Sequence, residues 1–459
     1  MASDSRPRAG HAIVLGGSMA GLMAARVLAQ HVERVTLIER DELPTAAAHR
    51  RGVPQGRHTH ALIAGGCQAI EQLFPGISQT LLDAGGVPAD DGQDMRWFFE
   101  GGFLARTPTG RRGVMVTRPL LEATVRARVR ALPRVIIRDG CHVAGLCADS
   151  ERRYITGVRL LTGEMVAADL VVDASGRGSR MPQWLSALGY PAPEEEQVEV
   201  GISYTTRFFR RDPRQLSGDL GVIVPPTPSG KQGGVLLAQE GLRWTVTLLS
   251  HFRPGAGESL PAFLEFAAQL PSTAIYNVIR TAEPLGEAFL SRFPASLRRR
   301  YERVPRFPEQ LVVLGDAICS FNPIYGQGMS VAAQEALSLD AVLSSGRHRV
   351  GMRFFRRAAP IIDNPWTTAV GNDLRMPEVN GPRSAVGTAI NGYIARLQRG
   401  AHRSPALTRA FLQVSNLTAH PSSLFAPAVV ARVIAGSMTR RTAAASGPAI
   451  AVDQLPGPI

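Results

Sequence analysis

The stretch Val14-Leu15-Gly16-Gly17-Ser18-Met19-Ala20-Gly21 decides the fold. A short apolar run, residues 12–15, leads into it, a helical pattern from about 21 to 30 follows, and residues 34–39 read as a second strand ending in Glu39. Strand, glycine turn, helix and strand in about thirty residues form the first unit of a dinucleotide-binding fold. Gly16 permits the tight turn, Ser18 keeps a small side chain where backbone must approach a pyrophosphate, and Gly21 lets the helix pack against the strand. Gly17, Met19 and Ala20 complete the turn, which places a phosphate on the free N–H groups of the helix N-terminus. Glu39, followed by Arg40, stands where an acid accepts hydrogen bonds from a ribose.

A second stretch extends this reading. The apolar strand at 311–314 delivers Asp316 to its tip, suited to a ribityl hydroxyl, and Gly326, Gly328 and Met329 open a helix whose bare N–H groups face a ligand. Between the two, strands are expected at 134–138, 142–147, 154–161 and 169–173, and a helix from Arg118 to about 131 with Thr117 as its N-cap. Residues 194–290 change character, with extended segments at 198–209, 221–224, 234–238 and 244–250 and a helix near 260–269, the pattern of an inserted, mainly antiparallel sheet. Beyond 346 the chain is helix-rich, with helices near 348–358, 384–398, 405–416 and 424–437 and a frayed tail.

The expected architecture is therefore α/β: a Rossmann-like FAD-binding domain interleaved with a mixed β-sheet substrate domain, plus a C-terminal helical cap. Residues 1–190 form the first part of the FAD domain, 191–304 the substrate sheet, 305–345 the return segment and 346–459 the helical region.

Composition supports an enzyme. The 459 residues are 44% hydrophobic, enough for a sizeable core, and the 46 glycines and 33 prolines suit many tight connections. The net charge of +13 comes from scattered arginines, Lys231 being the only lysine, and not from a basic stripe, which argues against nucleic acid as a partner. Cys67, Cys141, Cys147 and Cys319 lack metal-ligand spacing and read as buried thiols, and no metal site is expected. With no secretory signal and no spanning apolar run, a cytoplasmic protein is expected. The tail, with Leu424 to Val430, Arg432, Arg440 and Arg441, reads as a cap over the pocket in preference to a membrane-surface element.

The two motifs, with Thr117-Arg118-Pro119-Leu120-Leu121 and Asp173-Ala174-Ser175-Gly176-Arg177-Gly178-Ser179-Arg180, resemble the FAD-dependent monooxygenases of the aromatic-hydroxylase and squalene-epoxidase superfamily over residues 10 to 375. Arg51-Gly-Val-Pro-Gln55 with His58 and His60, and Asn322-Pro-Ile-Tyr-Gly-Gln-Gly-Met, are most similar to bacterial epoxidases acting on polyene precursors of polyether ionophores. The resemblance implies that Arg118 contacts the FAD pyrophosphate, that the backbone of Val143 meets the adenine and that Asp316 holds the ribityl chain. Arg51 is a further candidate for the cofactor phosphates. It also implies oxygen transfer from a C4a-hydroperoxyflavin to a lipophilic natural-product intermediate, alkene epoxidation ahead of phenol hydroxylation.

The partners are then O2, a lipophilic small molecule and NAD(P)H, acting directly or through a separate flavin reductase. Ser175-Gly176 replaces the Asp-Gly pair of the hydroxylases, which puts direct NAD(P)H docking in question. A flavin halogenase is disfavoured because the sole lysine is Lys231 and no Trp-x-Trp segment occurs; a polyprenyl reductase and a non-catalytic flavin-binding module are the remaining alternatives. No catalytic residue stands out. Phe208, Phe209, Val222, Val224, Leu236, Leu237 and Trp244 are candidates for the pocket wall, and His58 and His60 for a structural or flavin-edge role.

Overall fold

In the computed structural model, residues 10–60 and 62–445 are described, with side chains to residue 436. Five parallel strands form the first sheet, in the order Leu311–Val313, Leu170–Asp173, His11–Leu15, Arg34–Ile38, Val135–Arg138. Val, Ile and Leu fill the neighbouring strands His11–Leu15 and Leu170–Asp173 because both are buried throughout, packed against the helix Met19–His31 and against a meander strand, Ile155–Leu160. Helices Met19–His31 and Gly328–Ser344 pack against each other over this sheet. In register, Leu15 lies opposite Ile38 and Asp173, and Asp173 opposite Val313. Gly16, Glu39, Ala174 and Gly315 thus all emerge at the carboxyl edge, where open α/β sheets bind ligands. An antiparallel meander, Val143–Ala148, Ile155–Leu160 and Met165–Ala167, links two of the strands.

The second sheet has eight strands, in the order Cys319–Ser320, Pro284–Arg299, Glu195–Arg210, Arg243–His251, Gln232–Gln239, Gly221–Val224, Met95–Phe99, Gly102–Phe103. All its pairs are antiparallel except Gly221–Val224 with Met95–Phe99. Segments from outside 191–304 therefore join it at both ends. The sixteen-residue strand Pro284–Arg299 was not expected from its arginines and Pro294. A register shift between Glu199 and Ile202 on the facing strand falls opposite Pro294, so the missing N–H is accommodated at a bulge.

Helices Leu260–Ala268 and Ala274–Ile279 cover one face of this sheet over Phe209, Leu236, Trp244, Val246 and Leu248. Val350–Asp373 runs past the expected end at 358, through Pro360 and Pro365. Each proline removes one backbone hydrogen bond, and burial of Phe354, Phe355, Ile362 and Trp366 holds the helix together. Helices Ala385–Ala401, Pro405–Ser415 and Pro427–Ala445 form the cap, with their own core around Leu397, Leu407, Leu424 and Val433. The fold is the mixed α/β arrangement expected, with the helical region at the C-terminus. The frayed tail beyond 445 and the side chains of Arg440 and Arg441 lie outside the described residues. No helix among the described residues is long and apolar enough to cross a membrane.

Candidate active site

A cavity of about 2260 Å³ lies between the carboxyl edge of the parallel sheet, the open face of the large sheet and the helical cap. Pockets for one drug-sized ligand hold roughly 300–1,000 Å³, so this cavity has room for two ligands.

Its first end is the glycine turn. Gly16 has φ +102°, and a Cβ there would lie 2.5 Å from the Ala174 carbonyl oxygen; a Cβ on Gly21 would lie 1.8 Å from the Gly16 carbonyl oxygen. Gly16, Ser18, Met19 and Ala20 line the cavity, while Gly17 and Gly21 sit behind the wall. Ser18 is the N-cap of the helix Met19–His31 yet makes no capping bond, so no side chain of the cap satisfies the first-turn amides. Its hydroxyl instead donates to Glu122 Oε2 (3.0 Å) and accepts from Arg118 Nη2 (2.7 Å). Glu39, 5% exposed, accepts from the N–H groups of Gly17 (2.6 Å) and Asp41 (3.0 Å), and it lines the cavity together with Arg40.

Glu122 lies under this turn among three arginines: Arg118 at 2.9 Å, Arg50 at 2.8 Å and Arg126 at 3.5 Å. Burial opposes its ionisation, but Arg118 and Arg50 outweigh that and hold the carboxyl below its ordinary range. Arg50, whose side chain is 6% exposed, leaves Nη2 buried with no partner, a donor suited to an anion. Sequence reasoning placed Arg51 here. Arg51 is exposed and does not line the cavity; its neighbour Arg50 turns inward. Sequence reasoning also missed Glu122, although Arg118 and Glu122 at i, i+4 on one helix face were a readable signal.

The return segment forms the second end. Asp316, in the turn Gly315–Ala317 past the strand Leu311–Val313, lines the cavity; burial raises its pKa against the pull of Arg118 and Arg177. The helix Gly328–Ser344 begins at the cavity with Gln327 as an N-cap that makes no side-chain bond, and Gly326, Gly328 and Met329 line the wall beside it. Val143 lines the far side, with Cys141 and His142. Beneath the turn, Glu335 accepts from the Gly315 N–H (2.6 Å), its other oxygen is orphaned, and burial pushes the carboxyl up to about 8.

The expected pocket wall needs correction. Phe209, Val222, Leu236 and Trp244 point into the core beneath the helices, and Phe208 packs by Phe289 outside the cavity; of the seven, only Val224 and Leu237 line it. Strand side chains alternate between faces, so the neighbours Ile223, Val235, Thr247, Leu249 and Tyr204 form the wall instead. Histidines accompany them. His58 lies edge-on to Tyr204, its Nδ1 is 2.8 Å from Thr206 Oγ1, and burial brings its pKa down to about 4. His60 Nδ1 donates to the His58 carbonyl (3.0 Å), and burial brings its pKa down to about 3. His251 lines the same cavity, with Nδ1 on the Val200 carbonyl and Nε2 orphaned. At the cap end, Asp373 accepts from Tyr325 and Asn322, both at 2.8 Å, and burial pushes its carboxyl up to about 7.

Asp173 does not reach the cavity. It is fully buried, and its oxygens accept from Ser175 and Ser179, while Ser175 and Gly176 line the wall. Lys231 pairs with Glu378 away from the lining. Of the cysteines, Cys319 is buried as expected, but Cys67, Cys141 and Cys147 are only half-buried.

No family model matches the sequence. Among solved structures, the fold is similar to the flavin-dependent brominase Bmp2 (TM-score 0.66, 13% identity, 94% of this chain and 100% of that one). It is similar to a flavoprotein/dehydrogenase from Cytophaga hutchinsonii (TM-score 0.66, 13% identity, 94% and 99%). It is also similar to PqsL, a probable FAD-dependent monooxygenase from Pseudomonas aeruginosa (TM-score 0.58, 16% identity, 88% and 99%). At these identities the likeness is one of fold, that of FAD-binding flavoproteins. In sequence, the chain is 36% identical over 353 residues to Protein Rv3254 of Mycobacterium tuberculosis, covering 73% of each, and it belongs to the same family as that protein.

Proposed function

We infer that this chain is an FAD-dependent monooxygenase that transfers one oxygen atom from O2 to a lipophilic natural-product intermediate. The observation that carries the reading is a single cavity with two uncapped helix N-termini, the buried donors of Arg118 and Arg50 and the Asp316 carboxylate at one end, and an apolar wall at the other.

FAD fits the residues present. The first-turn amides after Ser18, with Arg118 and Arg50, suit a pyrophosphate; Glu39 suits the adenosine ribose, Val143 the adenine and Asp316 the ribityl hydroxyls. The helix starting at Gly328 favours negative charge on the isoalloxazine ring. Bound and reduced, FAD would supply the activation of O2 that makes one of its two atoms transferable. Electrons come from NAD(P)H, and the burial of Asp173 favours delivery through a separate flavin reductase over direct docking.

The chain's own groups orient and seal. Ile223, Val235, Leu237 and Leu249 offer an apolar floor, and Phe411 and Leu424 of the cap add apolar surface that disfavours water in the cavity. Among the described residues the sheet brings one carboxylate to the cavity, Glu100 in the turn after Met95–Phe99, which is paired with Arg375 and Arg399, and burial lowers the pKa of His58, His60 and His251; this suits alkene epoxidation, a reaction that needs no protein base. Phenol hydroxylation is the second reading, favoured by Asp373, whose pKa of about 7 suits a base. The test is turnover of the reduced, FAD-loaded protein with 18O2 and a panel of lipophilic alkenes and phenols. One 18O atom in the product, as an epoxide, is the expected result; label only in hydrogen peroxide would contradict oxygen transfer.

A further inference from the structure

His58 belongs to a motif, Gly56-Arg57-His58-Thr59-His60, that the cofactor reading does not use. Its ring is fixed from several sides. Nδ1 meets Thr206 Oγ1 at 2.8 Å, Tyr204 lies edge-on with ring centroids 4.5 Å apart, and the His58 backbone is tied to Gln55 (N–H to carbonyl, 3.0 Å) and to the ring of His60 (3.0 Å). Nε2 has no partner among the described residues, and the ring lines the cavity on the sheet wall. A polar atom so held on an apolar wall is placed to meet a ligand.

What it would meet follows from the groups behind it. Thr206 Oγ1 lies 2.6 Å from Thr247 Oγ1, which lies 2.7 Å from Thr59 Oγ1. Each hydroxyl both donates and accepts, so the hydrogens of this chain can run toward the ring or away from it. In the first case Nδ1 accepts and Nε2–H donates; in the second Nδ1–H donates and Nε2 accepts. His60 has no such freedom, because its Nδ1 faces a carbonyl and must donate. The ligand group that matches both states of His58 is a hydroxyl, which itself donates and accepts. A carboxylate or phosphate would favour an imidazolium, and burial with the nearby Arg57 opposes that charge.

We propose that His58 is a specificity-determining residue whose Nε2 anchors a hydroxyl of the substrate on the sheet wall, so that the enzyme takes unsaturated lipophilic alcohols or phenols in preference to hydrocarbons of the same frame. The proposal rests on the oxygenase reading for the identity of the cavity, but its test does not need turnover. Two matched pairs, farnesol with farnesene and 2-naphthol with naphthalene, are titrated by calorimetry into wild type, His58→Phe, His58→Gln and Thr206→Val, with FAD content recorded for each protein. One net hydrogen bond is about 1 kcal/mol, roughly a fivefold difference in Kd.

The hydroxylated member of at least one pair binds wild type about fivefold more tightly. His58→Phe, which keeps a ring without nitrogens, removes the preference, His58→Gln, whose amide donates and accepts, retains it, and Thr206→Val weakens it. No preference in wild type for either pair, or a preference that survives in His58→Phe, would overturn the proposal. If His58→Phe fails to fold, an undiminished preference in Thr206→Val overturns it instead. Absence of FAD from wild type counts against the cofactor reading and leaves the calorimetric comparison intact.

Discussion

Gly21 carries no function of its own, yet a methyl group there would stand 1.8 Å from the Gly16 carbonyl oxygen, which is backbone and cannot move aside cheaply. Gly21→Ala should therefore cost about 3 kcal/mol in urea unfolding, the upper range for overpacking, and a loss under 1 kcal/mol would show that the helix and turn separate easily. Glu122 poses the opposite case. Replacing it with Gln leaves Arg118 buried without its carboxylate partner, while Arg50 keeps Asp41 (3.1 Å) and Glu39 (3.3 Å), so stability should fall by about 3 kcal/mol. The same change removes a negative charge from beside both guanidinium groups, so the FAD Kd should hold or decrease. A Kd that rises tenfold with the fold intact would mean that Glu122 orders the arginines for the ligand. Single residues were legible where backbone geometry demands one residue type, as at Gly16 and Gly21. They were illegible where two neighbours share one chemistry: the sequence offers Arg50 and Arg51 equally, and only the path of the loop turns Arg50 inward.

At the scale of elements, the helix Gly328–Ser344 joins the cofactor end to a buried acid. Glu335 holds the Gly315 amide, and its folded pKa of about 8 stands above the ordinary 4.5. The folded chain thus keeps this proton over a range where the unfolded chain has lost it. Stability from the group is complete below about pH 4.5, declines as pH rises to about 8 and is level above that. Asp373, raised from 3.8 to about 7, adds a decline in the same direction. Urea unfolding of wild type should weaken from pH 5 to pH 8, and Glu335→Gln should flatten the slope; equal slopes would show that Glu335 ionises normally.

Elements were readable wherever one periodicity ruled, as in the parallel strands and the capped helix at Thr117, whose hydroxyl accepts from the Leu120 N–H. The sheet wall was misread for a physical reason. Alternation fixes which residues of a strand share a face, but which face meets the cavity depends on where the helices Leu260–Ala268 and Ala274–Ile279 dock, and they cover the Phe209 and Trp244 side. Pro294, Pro360 and Pro365 likewise sit inside elements because a bulge or tertiary packing compensates for each lost N–H.

The whole molecule brings three distant parts of the chain to one cavity: the N-terminal turn, the return segment at Asp316 and the C-terminal cap. The sequence motifs announced the first two, since phosphate and ribityl recognition impose local patterns. A cap over the pocket was expected from Leu424 onward, but its apolar spacing is common to any packed helix, so the part that Ile394 and Phe411 share with Leu424 in lining the cavity emerged only from the fold. In the proposed reading this cavity holds FAD with its pyrophosphate at Ser18 and Arg118 and its ribityl chain at Asp316. The most direct test is titration of FAD into the flavin-free protein, followed by quenching of flavin fluorescence, for wild type, Arg118→Ala and Asp316→Ala, with unfolding recorded in parallel. One FAD per chain in wild type, a Kd raised at least tenfold in each folded variant and a melting temperature that climbs with FAD concentration are the predicted results. No binding to wild type, or equal affinity in both variants, would contradict the account.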